Sequence, residues 1–361
     1  MNVPFLDLHL AEESAEVHDA IKRVIDRGWF VLGPEVEAFE REFALTSGAP
    51  YAVGVGNGTD ALALILRALG IGAGDEVITT PLSAAYTALA IVMAGARPVF
   101  ADIDPERMTL SPAAAERAIT ERTVALMPVH LYGQPADLPA LETLAKRRGL
   151  ALVEDCCQAH LATCQTRPVG TVGIAGAFSF YPTKNLGALG DGGAVITGDA
   201  SLANRIKRLR NGGQTDRYHH VEIGVNSRLD ELQAAILRAR LPALPRYTSR
   251  RRLLAQHYRL ALTNSSVTVP RELDPGHVYH LFPVRAQGRT QLQDRLRQSG
   301  IETLVHYPVP ISQQPAFAAL GRADCPEAER AANEVLSLPL YPGLSTEAVN
   351  AVADAVRKEA S

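Results

Sequence analysis

Tyr51-Ala52-Val53-Gly54-Val55-Gly56-Asn57-Gly58-Thr59-Asp60-Ala61-Leu62-Ala63-Leu64-Ile65-Leu66 reads as an apolar β-rich run, a glycine-dense turn and a run of helical character. The same unit recurs along the chain. Further strands are predicted at 76–80, 97–101, 123–129 and 150–155, with helices at 61–69, 84–93, 112–119 and 138–147 between them. Runs at 176–181 and 193–197 complete the set. Alternation of this kind predicts an α/β chain with a mostly parallel, mixed sheet and helices on both faces. In such sheets ligands sit beyond the carboxyl ends of the strands, so the loops after strands are the places to search for chemistry.

The texture changes near residue 240. Leu241-Pro242-Ala243-Leu244-Pro245 interrupts the pattern and a basic stretch, 246–252, follows. Beyond it, short strand-like runs at 280–284 and 303–306 lie between helices. Val349, Val352, Ala353 and Val356 fall at i, i+3, i+4 and i+7 behind Ser345 as an N-cap. The expected organisation is a large domain, 1–244, and a smaller α+β domain, 245–361. A chain of 361 residues is long enough for both.

The charge balance narrows the partners. Lys+Arg number 36 and Asp+Glu 39, a net charge of -3, and no basic stripe interleaved with aromatics is present, which argues against nucleic acid. Residues 77–96 carry no charge and reach the length of a membrane span. The proline and threonines within them favour a strand running into a buried helix, so no membrane association is expected. Residues 1–10 lack a basic region followed by an apolar one, so no secretory signal is expected. Four cysteines without a CxxC pair fit reduced thiols in the cytoplasm.

Three places could carry chemistry. In Gly56-Asn57-Gly58-Thr59-Asp60, glycines admit an anion close to the backbone and a helix N-terminus offers free N–H groups; Thr59 could add a hydroxyl. The plain alternative is a strand-to-helix turn capped by Asn57 or Thr59. The predicted strand at 150–155 ends in Glu154-Asp155, two carboxylates of which only one can face a given pocket. The pattern leaves open which one, and whether one of them caps a loop or pairs with an arginine. The third place is Phe178-Ser179-Phe180-Tyr181-Pro182-Thr183-Lys184-Asn185-Leu186-Gly187-Ala188-Leu189-Gly190-Asp191-Gly192-Gly193. Only five of the basic residues are lysine, and Lys22, Lys146, Lys207 and Lys358 lie in charge-rich helical segments. Lys184 does not: its nearest charged neighbours in sequence are Arg167 and Asp191. A lysine in apolar surroundings has the lowered pKa that imine formation with a carbonyl requires. Anion cradle, carboxylate and lysine together suit one cofactor, pyridoxal phosphate. No metal site is expected.

These segments resemble the DegT/DnrJ/EryC1/StrS family of nucleotide-sugar aminotransferases, which have the aspartate-aminotransferase fold (fold type I). The likeness is carried by Gly33-Pro34-Glu35-Val36-Glu37, Gly58-Thr59-Asp60-Ala61-Leu62, Glu154-Asp155-Cys156-Cys157-Gln158-Ala159-His160, Phe178 to Gly193, Asn226-Ser227-Arg228-Leu229-Asp230-Glu231-Leu232-Gln233-Ala234-Ala235 and His306-Tyr307-Pro308. The resemblance implies that Lys184 holds the cofactor's aldehyde and serves as acid and base, and that Asp155 partners the pyridine nitrogen. It implies Gly58, Thr59 and Ser179 as phosphate ligands and Gln158 as the contact near the ring hydroxyl. Asn226 would reach the phosphate from a neighbouring subunit, in an obligate homodimer with shared sites. Arg228, also from that subunit, and Tyr218 are candidates for the substrate's phosphates, and Tyr181 and His306 for the sugar pocket. For each of these four, surface pairing or core packing is the competing reading, as it is for His160.

The ending Lys-Asn-Leu-Gly-Ala-Leu-Gly-Asp-Gly-Gly is similar to the branch acting at C3 of a keto-sugar. The implied reaction moves an amino group from L-glutamate to a dTDP-linked 3-keto-6-deoxyhexose. Alternatives are a 4-keto or UDP-linked substrate, a sugar dehydratase using the pyridoxamine form, or a non-catalytic sensor on the same scaffold. Lys184 counts against the dehydratases, which carry histidine there. Departures are also present. Pro81-Leu82-Ser83-Ala84-Ala85-Tyr86 lacks the usual Pro-Leu-Thr-Phe aromatic, so either Tyr86 stacks from a shifted position or stacking is weaker. Cys156-Cys157 replaces two small residues, usually alanines, and Ser312 stands where many relatives have histidine.

Overall fold

A computed structural model describes residues 2–8, 14–321 and 323–359. Its main sheet has seven strands: β1 (Tyr51–Val55), β2 (Glu76–Thr79), β3 (Arg97–Phe100), β4 (Thr123–Leu126), β5 (Ala151–Asp155), β6 (Ala175–Ser179) and β7 (Gly193–Thr197). Their spatial order is β1-β7-β6-β5-β4-β2-β3. From β6 to β3 all neighbours are parallel, whereas β7 runs antiparallel to both β6 and β1. The reversal has a local cause. Residues 180–192 connect β6 to β7 by a loop, and without a crossover helix the chain must return antiparallel.

Both faces of the sheet are covered, and the alternation along single strands shows it. Leu152, Ile78 and Ile196 point into one core with Phe39, Phe43 and Phe178. Their neighbours Val153, Val77 and Val195 point into the other, with Leu62, Ile65 and Leu66 of the helix Gly58–Ala68. Burial of each such side chain stabilises the fold by roughly 1.5–3 kcal/mol.

Past the main sheet, Phe282–Arg285 pairs antiparallel with Val335–Leu338. Tyr258, Phe282, Leu336, Val349, Val352 and Val356 share a further core. The helix Thr346–Glu359 starts as its sequence pattern predicts, with Ser345 Oγ accepting the Ala348 N–H at 3.1 Å. Val3 bridges to Ile301 and is buried in this same core, so the N-terminal segment leans on the C-terminal third of the chain.

Several boundaries differ from expectation. The helix expected at 61 begins at Gly58. Pro242 and Pro245 do not break the chain's helical course. They occupy first-turn positions of a short 3-10 turn and of the helix Leu244–Ala261, where a missing N–H costs nothing. The strand expected at 280–284 begins at Phe282, after Tyr279 adopts a φ of 48°. The one expected at 303–306 is reduced to a single bridge between Leu304 and Ser337. Residues 77–96 fold as most of β2 and the helix Tyr86–Met93, and no described helix is long and apolar enough to cross a membrane.

Candidate active site

The loops that leave β1, β5 and β6, and the start of β7, meet at one edge of the sheet. Contact there is tight: a Cβ on Gly193 would lie 2.4 Å from the Asn57 carbonyl carbon. Asn57 caps the helix Gly58–Ala68. Its Oδ1 accepts the Asp60 N–H at 2.8 Å and its carbonyl accepts the Ala61 N–H at 3.1 Å. The N–H groups of Gly58 and Thr59 are therefore left without intrahelical partners, at the positive end of the helix dipole. Asn57 is thus the cap of this loop, and its capping leaves those N–H groups open. Ser179, the last residue of β6, closes against it: a Cβ on Gly58 would lie 2.8 Å from Ser179 Cβ and 2.7 Å from Cys157 Sγ.

The two carboxylates ending β5 face opposite ways. Glu154 is fully buried and accepts N–H groups of Gly170, Val172 and Gly173 at 2.7, 2.9 and 2.7 Å. A fourth contact joins it to His130 Nε2 at 3.0 Å. Because His130 Nδ1 accepts the Ala136 N–H, the imidazole proton sits on Nε2 and is donated to Glu154. His130, Glu154 and Cys156 lie close enough to hold a metal ion, yet the carboxylate and imidazole of this cluster are already committed to hydrogen bonds. Asp155, 4% exposed, faces the other side. Its Oδ2 accepts the Thr87 hydroxyl at 2.7 Å and its Oδ1 the Cys157 N–H at 3.1 Å. Two of the roughly four lone pairs of an ionised carboxylate are thereby used.

Lys184 lies in the loop between β6 and β7, its N–H donated to the Tyr181 carbonyl at 2.8 Å. Burial of its amine holds the pKa below lysine's ordinary value, against the opposing pull of Cys157 and Asp155. Three imidazoles surround it electrostatically. Burial lowers His160 to about 3 and His306 to about 4, and carries His280 well below the usual range; the charge of Lys184 adds to each shift. His160 is 1% exposed between the rings of Phe178 and Phe180. His280 Nδ1 meets Asn185 Oδ1 at 3.2 Å, which ties the Lys184 loop to the segment preceding Phe282–Arg285.

Gln158 is held in one orientation. Its Oε1 accepts the Tyr132 N–H at 2.8 Å, and its Nε2 donates to the Tyr307 hydroxyl at 3.0 Å. The Tyr132 hydroxyl in turn donates to the His306 carbonyl. His306 Nδ1 lies 2.9 Å from Ser337 Oγ, and its ring packs on Phe5 and Tyr307.

Gly58, Asp155, Gln158, Ser179, Lys184 and His306 thus belong to one connected region, and Thr59 opens the helix beside it. Tyr181 joins this region through the carbonyl that accepts the Lys184 N–H, and residues 226–228 flank it through Ser227. Tyr218 is 78% exposed, in the turn between the short strands Gln214–Asp216 and His219–His220, with Arg217 stacked on its ring. Asn226 is exposed, and Arg228 donates to Asn211 Oδ1 at 3.1 Å. Between them Ser227 donates to Asp60 Oδ2 at 2.6 Å and accepts the Gly56 N–H at 3.0 Å, so this segment runs beside the cradle loop. Tyr181 is half exposed. Tyr86 is 64% exposed at the start of its helix. Ser312 is buried in the 3-10 turn Ile311–Gln313. Cys156 is buried in the core shared with Phe178, while Cys157 packs against Gly58.

Sequence reasoning did not single out Thr87, Tyr132 or His280, and quoted Tyr307 only as part of a motif. Thr87 is an isolated polar residue in an apolar run, and no spacing rule marks any of the four. Tyr132 adopts a φ of 60°, which its sequence does not announce.

This donor set can accommodate pyridoxal phosphate. It offers two free N–H groups at a helix N-terminus for the phosphate, a carboxylate with acceptor capacity to spare, and a buried amine whose pKa lies below lysine's ordinary value.

Residues 11–357 match the DegT/DnrJ/EryC1/StrS aminotransferase family. The chain is 50% identical, over 98% of each sequence, to the Saccharopolyspora erythraea protein called erythromycin biosynthesis sensory transduction protein EryC1. It is 49% identical to the dTDP-3-amino-3,4,6-trideoxy-alpha-D-glucose transaminase of Streptomyces venezuelae, over 99% of this chain and 96% of that one. The crystal structure of S. venezuelae DesV in complex with a ketimine intermediate superposes with a TM-score of 0.96 at 48% identity, covering 100% of this chain and 99% of the other.

Proposed function

The chain belongs to the DegT/DnrJ/EryC1/StrS aminotransferase family, and we propose that it transfers an amino group from L-glutamate to C3 of a dTDP-linked 3-keto-6-deoxyhexose, using pyridoxal phosphate. It is a sugar aminotransferase of fold type I. The observation that carries the reading is the amine of Lys184, held below its ordinary pKa at the sheet edge where Asp155 and the Gly58 helix terminus also lie. The S. erythraea relative's name speaks of sensory transduction, but a protein that only sensed a ligand would not need a buried lysine amine held below its ordinary pKa beside Asp155.

Pyridoxal phosphate, when bound, supplies a carbonyl carbon that carries the amino group and a ring that takes up electron density. Gly58 and Thr59 N–H groups and Ser179 Oγ would hold its phosphate, Asp155 its ring nitrogen, and Gln158 would lie by its ring hydroxyl. Lys184 would hold its aldehyde. An uncharged Lys184 Nζ can take the α-proton of the amino-acid donor and return it to a neighbouring carbon, then do the reverse for the sugar. His306 and Tyr181 would line the sugar side, with Tyr218 and Arg228 on the diphosphate, which a guanidinium matches bidentately.

Residues 1–244 would form the cofactor-binding unit and 245–361 the unit that caps it. We further propose an obligate homodimer in which Asn226 and Arg228 serve the neighbouring subunit's site. The exposed apolar residues Trp29, Phe30, Leu189 and Ile223 support burial against a second copy. Mixing Lys184→Ala with Asn226→Ala subunits tests it, since a mixed dimer with shared sites contains one intact site. Activity above the sum of the two parents is expected; simple additivity contradicts sharing. A cytoplasmic location is supported by four unpaired cysteines.

The function itself is tested by incubating the cofactor-loaded protein with L-glutamate and a dTDP-linked 3-keto-6-deoxyhexose. Formation of the 3-amino-sugar and 2-oxoglutarate is expected. Failure to form either would overturn the proposal.

A further inference from the structure

Behind Asp155 lies a buried line of hydroxyls. Thr87 Oγ1 donates to Asp155 Oδ2 at 2.7 Å, and Ser83 Oγ lies 3.5 Å from Thr87 Oγ1. Ser83 is 3% exposed and Thr87 2%. The directions follow from chemistry. An ionised carboxylate can only accept, so the single Thr87 proton goes to Asp155 and the weaker Ser83 contact runs towards Thr87. Thr87 stands in the first turn of the helix Tyr86–Met93. A threonine there could have turned its hydroxyl to a carbonyl of the preceding turn, the common local choice. Instead it reaches across the sheet edge to β5. From the other side Cys157 N–H takes Oδ1 at 3.1 Å. One donor on each oxygen, from two separate elements, fixes the plane of the carboxylate.

We propose that Thr87, backed by Ser83, is a positioning residue that orients Asp155 so that its remaining lone pairs meet the cofactor's pyridine nitrogen. The proposal rests on the reading of Asp155 given above. Without the Thr87 hydroxyl, a buried Asp155 oxygen loses its charge-assisted donor and the carboxylate can rotate. Its hold on a protonated ring nitrogen then weakens, and with it both cofactor affinity and the rate of proton removal. Substrate binding should change little, because Thr87 itself is buried beneath the site.

The test compares wild type, Thr87→Val, Thr87→Ser and Asp155→Asn. Each apo-protein is titrated with pyridoxal phosphate, the induced circular dichroism of the bound cofactor is recorded, and the glutamate half-reaction is followed for kcat and KM. The isosteric Thr87→Val is expected to raise the cofactor Kd about tenfold, the worth of one charge-assisted hydrogen bond, and to reduce the dichroism. It should lower kcat with KM nearly constant. Thr87→Ser is expected to return both Kd and dichroism to within roughly twofold of wild type, because only the hydroxyl is needed. Thr87→Val matching wild type in Kd and dichroism would overturn the proposal. So would Thr87→Ser failing as badly as Thr87→Val, since the methyl group would then be what matters. A wild-type protein that takes up no cofactor would overturn the underlying reading, and Asp155→Asn behaving as wild type would overturn the role of Asp155 on its own.

Discussion

At the end of β5, Glu154 accepts three backbone N–H groups and a histidine proton with no exposure, while Asp155 accepts one hydroxyl and one N–H beside Lys184. Neighbouring carboxylates therefore answer to different measurements. Glu154→Gln sets an amide against buried N–H donors and should cost about 2–4 kcal/mol in urea unfolding. Asp155→Asn should leave unfolding nearly unchanged and lower kcat about 10–100-fold. The reverse pattern would exchange their roles. The strand pattern announced two terminal carboxylates without saying which one faced the site, and only the family resemblance pointed to Asp155. What decides it is a set of backbone N–H groups from residues 170 to 173 and a histidine 24 positions away, neither of which leaves a pattern. Lys184 was easier to read, because its apolar surroundings are contiguous in the chain. The Thr87 contact was illegible, since it joins residues 68 positions apart.

The helix Gly58–Ala68 is the element to which the proposal assigns the cofactor's phosphate, and its first residue has no room for a side chain. Gly58 is helical, so its requirement is close approach rather than backbone freedom. An added Cβ would fall 2.7 Å from Cys157 Sγ and 2.8 Å from Ser179 Cβ. Gly58→Ala should weaken pyridoxal phosphate binding about tenfold through overpacking. Adding Cys157→Ala should recover part of that loss, measured by titration of the apo-proteins. Unaltered affinity in Gly58→Ala would mean the helix start is not the phosphate site. Strand and helix alternation was legible over the main sheet because both faces are buried and each run is apolar throughout. It failed where tertiary contacts decide. Residues 303–306 carry strand residues but find only Ser337 to pair with, and the prolines near 242 read as breaks although they sit at helix starts.

Across the whole molecule, His160 and His277 are lowered by burial to about 3 and His306 to about 4, with His280 well below the ordinary value of 6.5. The unfolded chain therefore takes up protons as pH falls through 6.5, while the native state does not until near 3 to 4. Stability must drop with falling pH over that interval, by up to about 1.4 kcal/mol per pH unit for each histidine that titrates only when unfolded. Glu35, Glu76 and Glu142 have lowered values and lose their contribution only below about 4.5, so the window from 6.5 to 5 belongs to the histidines. The urea midpoint should fall between pH 7 and pH 5; a constant midpoint would contradict their burial in the neutral form. The proposed chemistry centres on one buried amine, Lys184, whose pKa burial holds below lysine's ordinary value. Its most direct test is the absorbance of the cofactor-loaded protein on addition of L-glutamate, compared with Lys184→Ala. Wild type should start with a visible band that glutamate bleaches as 2-oxoglutarate appears. Lys184→Ala should lack that band and form no 2-oxoglutarate. Turnover persisting in Lys184→Ala would contradict the account.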